Sequence, residues 1–277
     1  PLPYAMTNCH NSLCAVGGTI NEDDHVFGLS AAKKYGGIYV PANQAVIHQF
    51  AREEMVKCGN MILGSDSHTR YGSLGNMGVG EGGGELVKQL LRNTWDINAP
   101  EVVLVWLEGT PRHGIGPHDV AISLVKAVFE SGFVKNKVLE FAGPGVKNLS
   151  VDFRNGIDVM TTETTCLSSI WITDDKVREH YELHRRPECY KELRPGKVAY
   201  YDSMVRIDLS SQESMIALPY HPSNAVTIHE LQADPEGILR RVEEDTKRRF
   251  GDKVHPDLVS KIRDGKVYAD QGIIAGC

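Results

Sequence analysis

The alternation of apolar patterns along this chain predicts an α/β fold with mostly parallel sheets. Three observations carry that reading. Apolar residues at helical spacing take turns with short apolar runs from one end of the sequence to the other. One run, Val102-Val103-Leu104-Val105-Trp106-Leu107, is continuous, as in a strand covered on both faces. Another, Met61-Ile62-Leu63, passes into a glycine-dense loop between Gly72 and Gly84, and ligands of α/β folds bind beyond such strand ends.

In chain order, Val46, Ile47, Phe50 and Met55, with Gly59 as terminator, predict a helix over 43–58. A buried strand follows over 60–64. Leu86, Val87, Leu90 and Leu91 place a helix over 84–94, and Ile122, Leu124, Val125 and Val128 place another over 119–131. Between them lies the strand over 102–107, and after them a strand over 137–142. The highly charged stretch 174–194 reads as a solvated helix and surface insertion. The last helix covers 235–250, with Ile238, Leu239 and Val242 inward and a basic cluster, Arg240, Arg241, Lys247, Arg248 and Arg249, on a solvated face. Composition shifts at Gly109-Thr110-Pro111 and after Pro222 divide the chain into units 1–109, 110–222 and 223–277.

The 277 residues are 41% hydrophobic and 24% charged, enough for a large core. A net charge of −6 gives no electrostatic case for nucleic acid. No apolar run approaches bilayer length, so no membrane partner is expected. The cysteines at 9, 14, 58, 166, 189 and 277 include no CxxC pair. They read as reduced thiols in a cytoplasmic compartment rather than as a disulfide framework.

The densest chemistry lies at Gly64-Ser65-Asp66-Ser67-His68-Thr69. A histidine with a carboxylate partner moves protons near neutral pH, and a serine hydroxyl binds a substrate oxygen. The plainer reading is that Asp66 and Ser67 cap the next element. The run Gly72-Ser73-Leu74-Gly75-Asn76-Met77-Gly78-Val79-Gly80 is no Walker A loop, because no Gly-Lys-Ser/Thr follows, and it lacks the dinucleotide fingerprint. Its glycines are expected to let the backbone pack close beneath a cofactor or substrate.

Six segments in order, over most of the chain, resemble the aconitase family of iron–sulfur hydro-lyases. They are Val46-Ile47-His48-Gln49, the Asp66-Ser67-His68-Thr69 stretch, Gly75 to Gly84, Phe141-Ala142-Gly143-Pro144-Gly145-Val146, Glu163 through Trp171, and Arg206-Ile207-Asp208-Leu209-Ser210 with Pro219 and Pro222. The resemblance implies aconitase-like α/β/α domains. It implies a hydratase or dehydratase acting on a small di- or tricarboxylic hydroxy acid through a 4Fe–4S cluster held by three cysteines, the first matched by Cys277. It pairs His48 with Asp66 and His68 with Glu163 at the active site, each carboxylate expected to raise its imidazole's pKa, and gives Ser67 a contact to a substrate carboxylate. The chain stops where the cluster-binding loop would begin. It is therefore expected to be a fragment, inactive alone, whose partners include the remaining C-terminal domains of its parent.

Two departures stand against the family pattern. The C-D-H-L segment is represented by Thr7-Asn8-Cys9-His10-Asn11-Ser12-Leu13, so its acid pair becomes Asn11-Ser12 or, shifted by one, His10-Asn11. His10 takes over part of that role on this reading. The asparagine four residues before the glutamate is Val159, which cannot hydrogen-bond. These losses supply the alternative, a non-catalytic or degenerate member with a binding or regulatory role. A third reading is a mononuclear metal hydrolase built on His48, Asp66 and His68, whose spacing matches no helical metal motif.

Overall fold

The computed structural model describes residues 4–9, 19–92 and 94–273. His10, Asn11, Ser12 and Cys277, named above, lie outside them. The described chain runs β1 (Thr7–Cys9), α1 (Thr19–Tyr35), β2 (Ile38–Val40), α2 (Ile47–Phe50), β3 (Met61–Gly64), β4 (Met77–Gly80), α3 (Gly83–Leu90) and β5 (Val102–Glu108). It continues with α4 (Pro117–Val128), β6 (Val138–Ala142), α5 (Val151–Met160), β7 (Ser168–Trp171), α6 (Asp175–Leu183), β8 (Ser203–Asp208), β9 (Met215–Ala217), β10 (Ala225–Thr227), α7 (Ile228–Ala233) and α8 (Pro235–Phe250). The α/β class with mostly parallel sheets holds. β7-β6-β5-β8 form a four-stranded sheet with every pair parallel, and β1–β2 and β3–β4 are parallel pairs.

β5 alternates where continuous burial was expected. Val103, Val105 and Leu107 are fully buried, whereas Val102, Leu104, Trp106 and Glu108 are half-buried. The buried face packs with Leu139 and Phe141 of β6 against Val120, Leu124 and Val128 of α4 and Ile157 of α5. Phe141 and Trp171 stack face to face at 4.1 Å. Capping is explicit on this layer. Ser150 accepts the Phe153 N–H at the start of α5, and the Asp119 carboxylate accepts the Gly116 N–H at the start of α4.

A second core holds Ala51, Val56, Cys58, Tyr71, Leu74, Val177, Tyr181 and Cys189. It corrects the reading of 174–194 as a surface insertion. α6 buries Val177 and Tyr181 one turn apart, Tyr181 Oη donates to the Leu74 carbonyl at 2.8 Å, and Arg186 donates to the carbonyls of Glu53 and Val56. The charged composition hid an i, i+4 apolar pair.

The helix expected over 43–58 is shorter. Asn43 has φ 65° and Val46 is extended, so α2 begins at Ile47 and continues as a π-helical turn, Ala51–Met55, before extended Val56 ends it. Two sheets also cross the expected divisions: β5 pairs with β6 and β8 across residue 109, and β9 pairs with β10 across residue 222. On α8 three arginines of the basic cluster are paired along their own helix, Arg240 with Glu236 and both Arg248 and Arg249 with Asp245. Among the described residues no helix is long and apolar enough to cross a membrane.

Candidate active site

The crossover between β3 and β4, residues 65–76, carries no α-helix. It folds instead as tight turns that push side chains outward at the strand end. The Asp66 carbonyl accepts both the Thr69 N–H and the Thr69 hydroxyl, and Asp66 Oδ1 accepts the His68 N–H at 2.7 Å. That side-chain turn fixes the angle at which Asp66 and His68 leave the backbone. Gly80 lies directly beneath: a Cβ there would sit 2.4 Å from the Asp66 carbonyl oxygen and 2.8 Å from Ser67 Cα. At Gly72 a Cβ would meet the Ser169 carbonyl of β7 at 2.4 Å. These glycines therefore let backbone pack on backbone and seat the Asp66–His68 turn.

His48, on the first turn of α2, is 2% exposed. Its Nε2 lies 3.0 Å from Asp66 Oδ1 and its Nδ1 lies 3.1 Å from Tyr71 Oη. An ionised carboxylate only accepts, so Nε2 carries the hydrogen, and Nδ1 of the neutral ring accepts the Tyr71 hydroxyl. Burial pushes the His48 pKa down, and this outweighs the charge and hydrogen bond of Asp66, which push it up. The rise expected from the carboxylate is thus reversed, because the ring is buried beside Tyr71 while the acid is 44% exposed. Asp66 itself is pushed up by burial but pulled further down by the His68 N–H and by His48, ending below the usual carboxylate range.

His68 projects toward solvent, with its side chain 32% exposed. Nε2 lies 3.3 Å from Glu163 Oε1, while Nδ1 faces Ser67 Oγ at 3.3 Å and Asp66 Oδ1 at 3.6 Å. Glu163 comes from the 3₁₀ turn Thr161–Thr164 that follows α5. Thr161 and Thr164 share one side of that turn, both buried and bonded through their hydroxyls to the carbonyls of Asp158 and Thr161, which leaves Glu163 on the other side. Beneath it, buried Asp158 accepts from Ser169 Oγ, Trp171 Nε1 and the Ser73 N–H, tying α5, β7 and the glycine loop together. The structure therefore brings His48, Asp66, Ser67, His68 and Glu163 to one place from three stretches of the chain. Sequence reasoning passed over Tyr71 and Asp158, for which no motif signals a role.

A model of the aconitase family (aconitate hydratase) matches residues 9–277. The chain belongs to the aconitase family. It is 30% identical over 203 residues to the 3-isopropylmalate dehydratase large subunit of Elusimicrobium minutum, covering 73% of this chain and 48% of that protein. It is 28% identical over 204 residues to 3-isopropylmalate dehydratase large subunit 1 of Thermotoga maritima, covering 73% of this chain and again 48% of the relative. Against the mitochondrial aconitate hydratase of Aspergillus fumigatus it is 30% identical over 218 residues, 76% of this chain and 27% of that one. The chain thus spans about half the length of the first two of these relatives.

The described cysteines do not fit the cluster that the aconitase family resemblance implies. Cys9 donates to the Ala45 carbonyl, Cys58 to that of Leu74 and Cys166 to that of Thr161, and Cys189 is buried in the second core. Burial pushes the thiols of Cys9, Cys58 and Cys166 up, away from the thiolate that binds iron. Among the described residues no group of three or more His, Cys, Asp or Glu side chains is arranged to hold a metal ion. The mononuclear reading loses its geometry for a further reason: both nitrogens of His48 are engaged, by Asp66 and by Tyr71.

Proposed function

We propose that this aconitase-family chain carries a proton-handling and carboxylate-binding face of a hydro-lyase, which adds or removes water across a carbon–carbon double bond of a small di- or tricarboxylic hydroxy acid. The observation that carries the reading is the convergence on Asp66. Its Oδ1 takes the His48 ring and the His68 backbone together, while Glu163 braces the far nitrogen of His68. His68 is the group that moves a proton at the substrate, because its ring is accessible while both its nitrogens are oriented. Exposed Ser67 offers a hydroxyl to a substrate carboxylate. His48 stays neutral and donates Nε2–H to Asp66, which fixes Asp66 as an anion below the reacting face. A 4Fe–4S cluster, with Cys277 as a ligand, and a cytoplasmic location belong to the same proposal for the whole protein.

The unit boundaries are proposed anew. The first falls in the stretch 94–101 rather than at 109, since β5 shares its sheet with β6 and β8. The second follows β10 rather than preceding it.

The test is turnover by the whole protein, with cis-aconitate and 3-isopropylmalate as probes taken from the relatives' names. In His68→Gln, kcat is expected to fall by ~10²–10⁴-fold, the usual weight of a positioned acid or base. Unchanged kcat in that variant overturns the reading. Val159, half-buried and aliphatic in α5, favours the second reading, binding without turnover. Saturable binding of either acid by a wild-type protein that turns over neither would establish it.

A further inference from the structure

Glu163 does not serve His68 alone. Its other oxygen, Oε2, lies 3.8 Å from Nε2 of His221. His221 sits in the loop between β9 and β10, and its ring stacks on Phe129, at the end of α4, with centroids 3.8 Å apart and planes inclined by 25°. Its Nδ1 accepts the Ser223 backbone N–H at 3.1 Å and meets Ser223 Oγ at 3.0 Å, and its carbonyl accepts the Asn224 N–H at 2.9 Å. A ring nitrogen that accepts a backbone N–H carries no hydrogen. The hydrogen of the neutral ring therefore resides on Nε2, the nitrogen turned toward Glu163.

The contact is longer than a hydrogen bond but close enough for the Nε2–H dipole to attract the carboxylate, directly or through one bridging water. Its physical consequence concerns freedom. The terminal torsion of a glutamate is broad, and a carboxylate gripped at one oxygen by a part-exposed ring keeps much of that freedom. A second imidazole, itself locked by a stack and a backbone bond, removes it.

We propose that His221 is a positioning residue that acts through Glu163: its Nε2–H engages Oε2 and turns Oε1 onto His68. The kinetic part of this inference rests on the hydro-lyase reading; the structural part does not. The position drew attention in the sequence only for its flanking prolines, Pro219 and Pro222.

Three variants separate the donor from the ring. His221→Phe keeps the stack and loses both nitrogens. His221→Asn carries an amide too short to reach the place of Nε2. His221→Gln puts an N–H near that place. In the 277-residue chain, ¹⁵N side-chain NMR should show the His68 tautomer balance altered in the Phe and Asn variants and restored in the Gln variant. The effect should vanish in a Glu163→Gln background, as coupling through that carboxylate requires. In the whole protein, the Phe and Asn variants should lose ~10- to 100-fold in kcat for cis-aconitate hydration, the scale of a misplaced reacting group. KM should stay within about threefold, and the Gln variant should recover most of the loss. A His68 spectrum unchanged by His221→Phe or His221→Asn, or failure of His221→Gln to restore it, overturns the proposal. A wild-type protein without turnover defeats the hydro-lyase reading instead, and the spectra still decide the role of His221.

Discussion

At the residue scale, burial decides how His48 behaves. Its pKa lies below the usual imidazole value, so as pH falls the unfolded chain takes up the proton first. The stability contributed by neutral His48 is complete above about pH 6.5 and is lost as pH falls from there to the folded-state pKa. Asp66, whose carboxyl is held low, contributes in a separate window. That contribution is present above about pH 3.9 and disappears on acidification through its lower folded value. His180 is likewise pushed down by burial and acts in the same direction as His48. The thermal midpoint of the chain should therefore fall as pH drops below about 6.5, and His48→Gln should flatten that fall. A midpoint with the same pH slope in the variant would show that His48 is not buried in the neutral form. The Asp66, Ser67 and His68 cluster was legible because it is contiguous and ends a strand. Tyr71 and His221 were not, since their roles depend on a ring and a carboxylate that lie far from them in sequence.

At the element scale, the Asp66–His68 turn rests on glycines, and α6 rests on an ion pair whose arginine is buried. Gly80→Ala would drive a methyl into the Asp66 carbonyl and Ser67 Cα, both backbone atoms that cannot swing aside. A loss of ~1–3 kcal/mol follows, the usual cost of overpacking, with displacement of the Asp66–His68 turn. Urea denaturation measures the first effect and kcat of the whole protein the second; a neutral outcome in both would mean that the turn does not rest on Gly80.

Arg154 has a fully buried side chain, and its guanidinium donates to both oxygens of Asp174 and to the carbonyls of Val146 and Leu149. Asp174 also caps α6 by accepting the Val177 N–H. Asp174→Ala strands the cation and removes the cap. The cost should be about 3 kcal/mol, the low end for a broken buried pair because Asp174 is 28% exposed. Urea denaturation that gives under 1 kcal/mol would contradict this account of α6. Strong periodicity made α4 and α8 readable in the sequence. α6 was misread because its apolar pair is outnumbered by charges, and the helix over 43–58 was overextended because a positive φ at Asn43 leaves no mark in apolar spacing.

At the scale of the whole molecule, the parallel order of sheets was legible, and the pairing of strands across composition shifts was not. Composition changes at Gly109 because the chain leaves a strand there, yet that strand pairs with β6 and β8, which follow it in sequence. Long-range pairing of this kind is invisible to any local window. α3 shows the same limit: its apolar residues match a core helix, but none is buried in the described chain. The site obeys the same logic, since Asp66 meets His48 from α2 and Glu163 braces His68 from beyond α5.

On the proposed reading, the carboxylate at which both imidazoles meet organises the chemistry. The most direct measurement is kcat of the whole protein for cis-aconitate hydration, wild type beside Asp66→Asn, with circular dichroism confirming the fold. A fall of ~10²–10⁴-fold is expected, because an amide can neither fix the His48 tautomer nor serve as the anion below His68. Turnover within about threefold of wild type in a folded Asp66→Asn protein would contradict it.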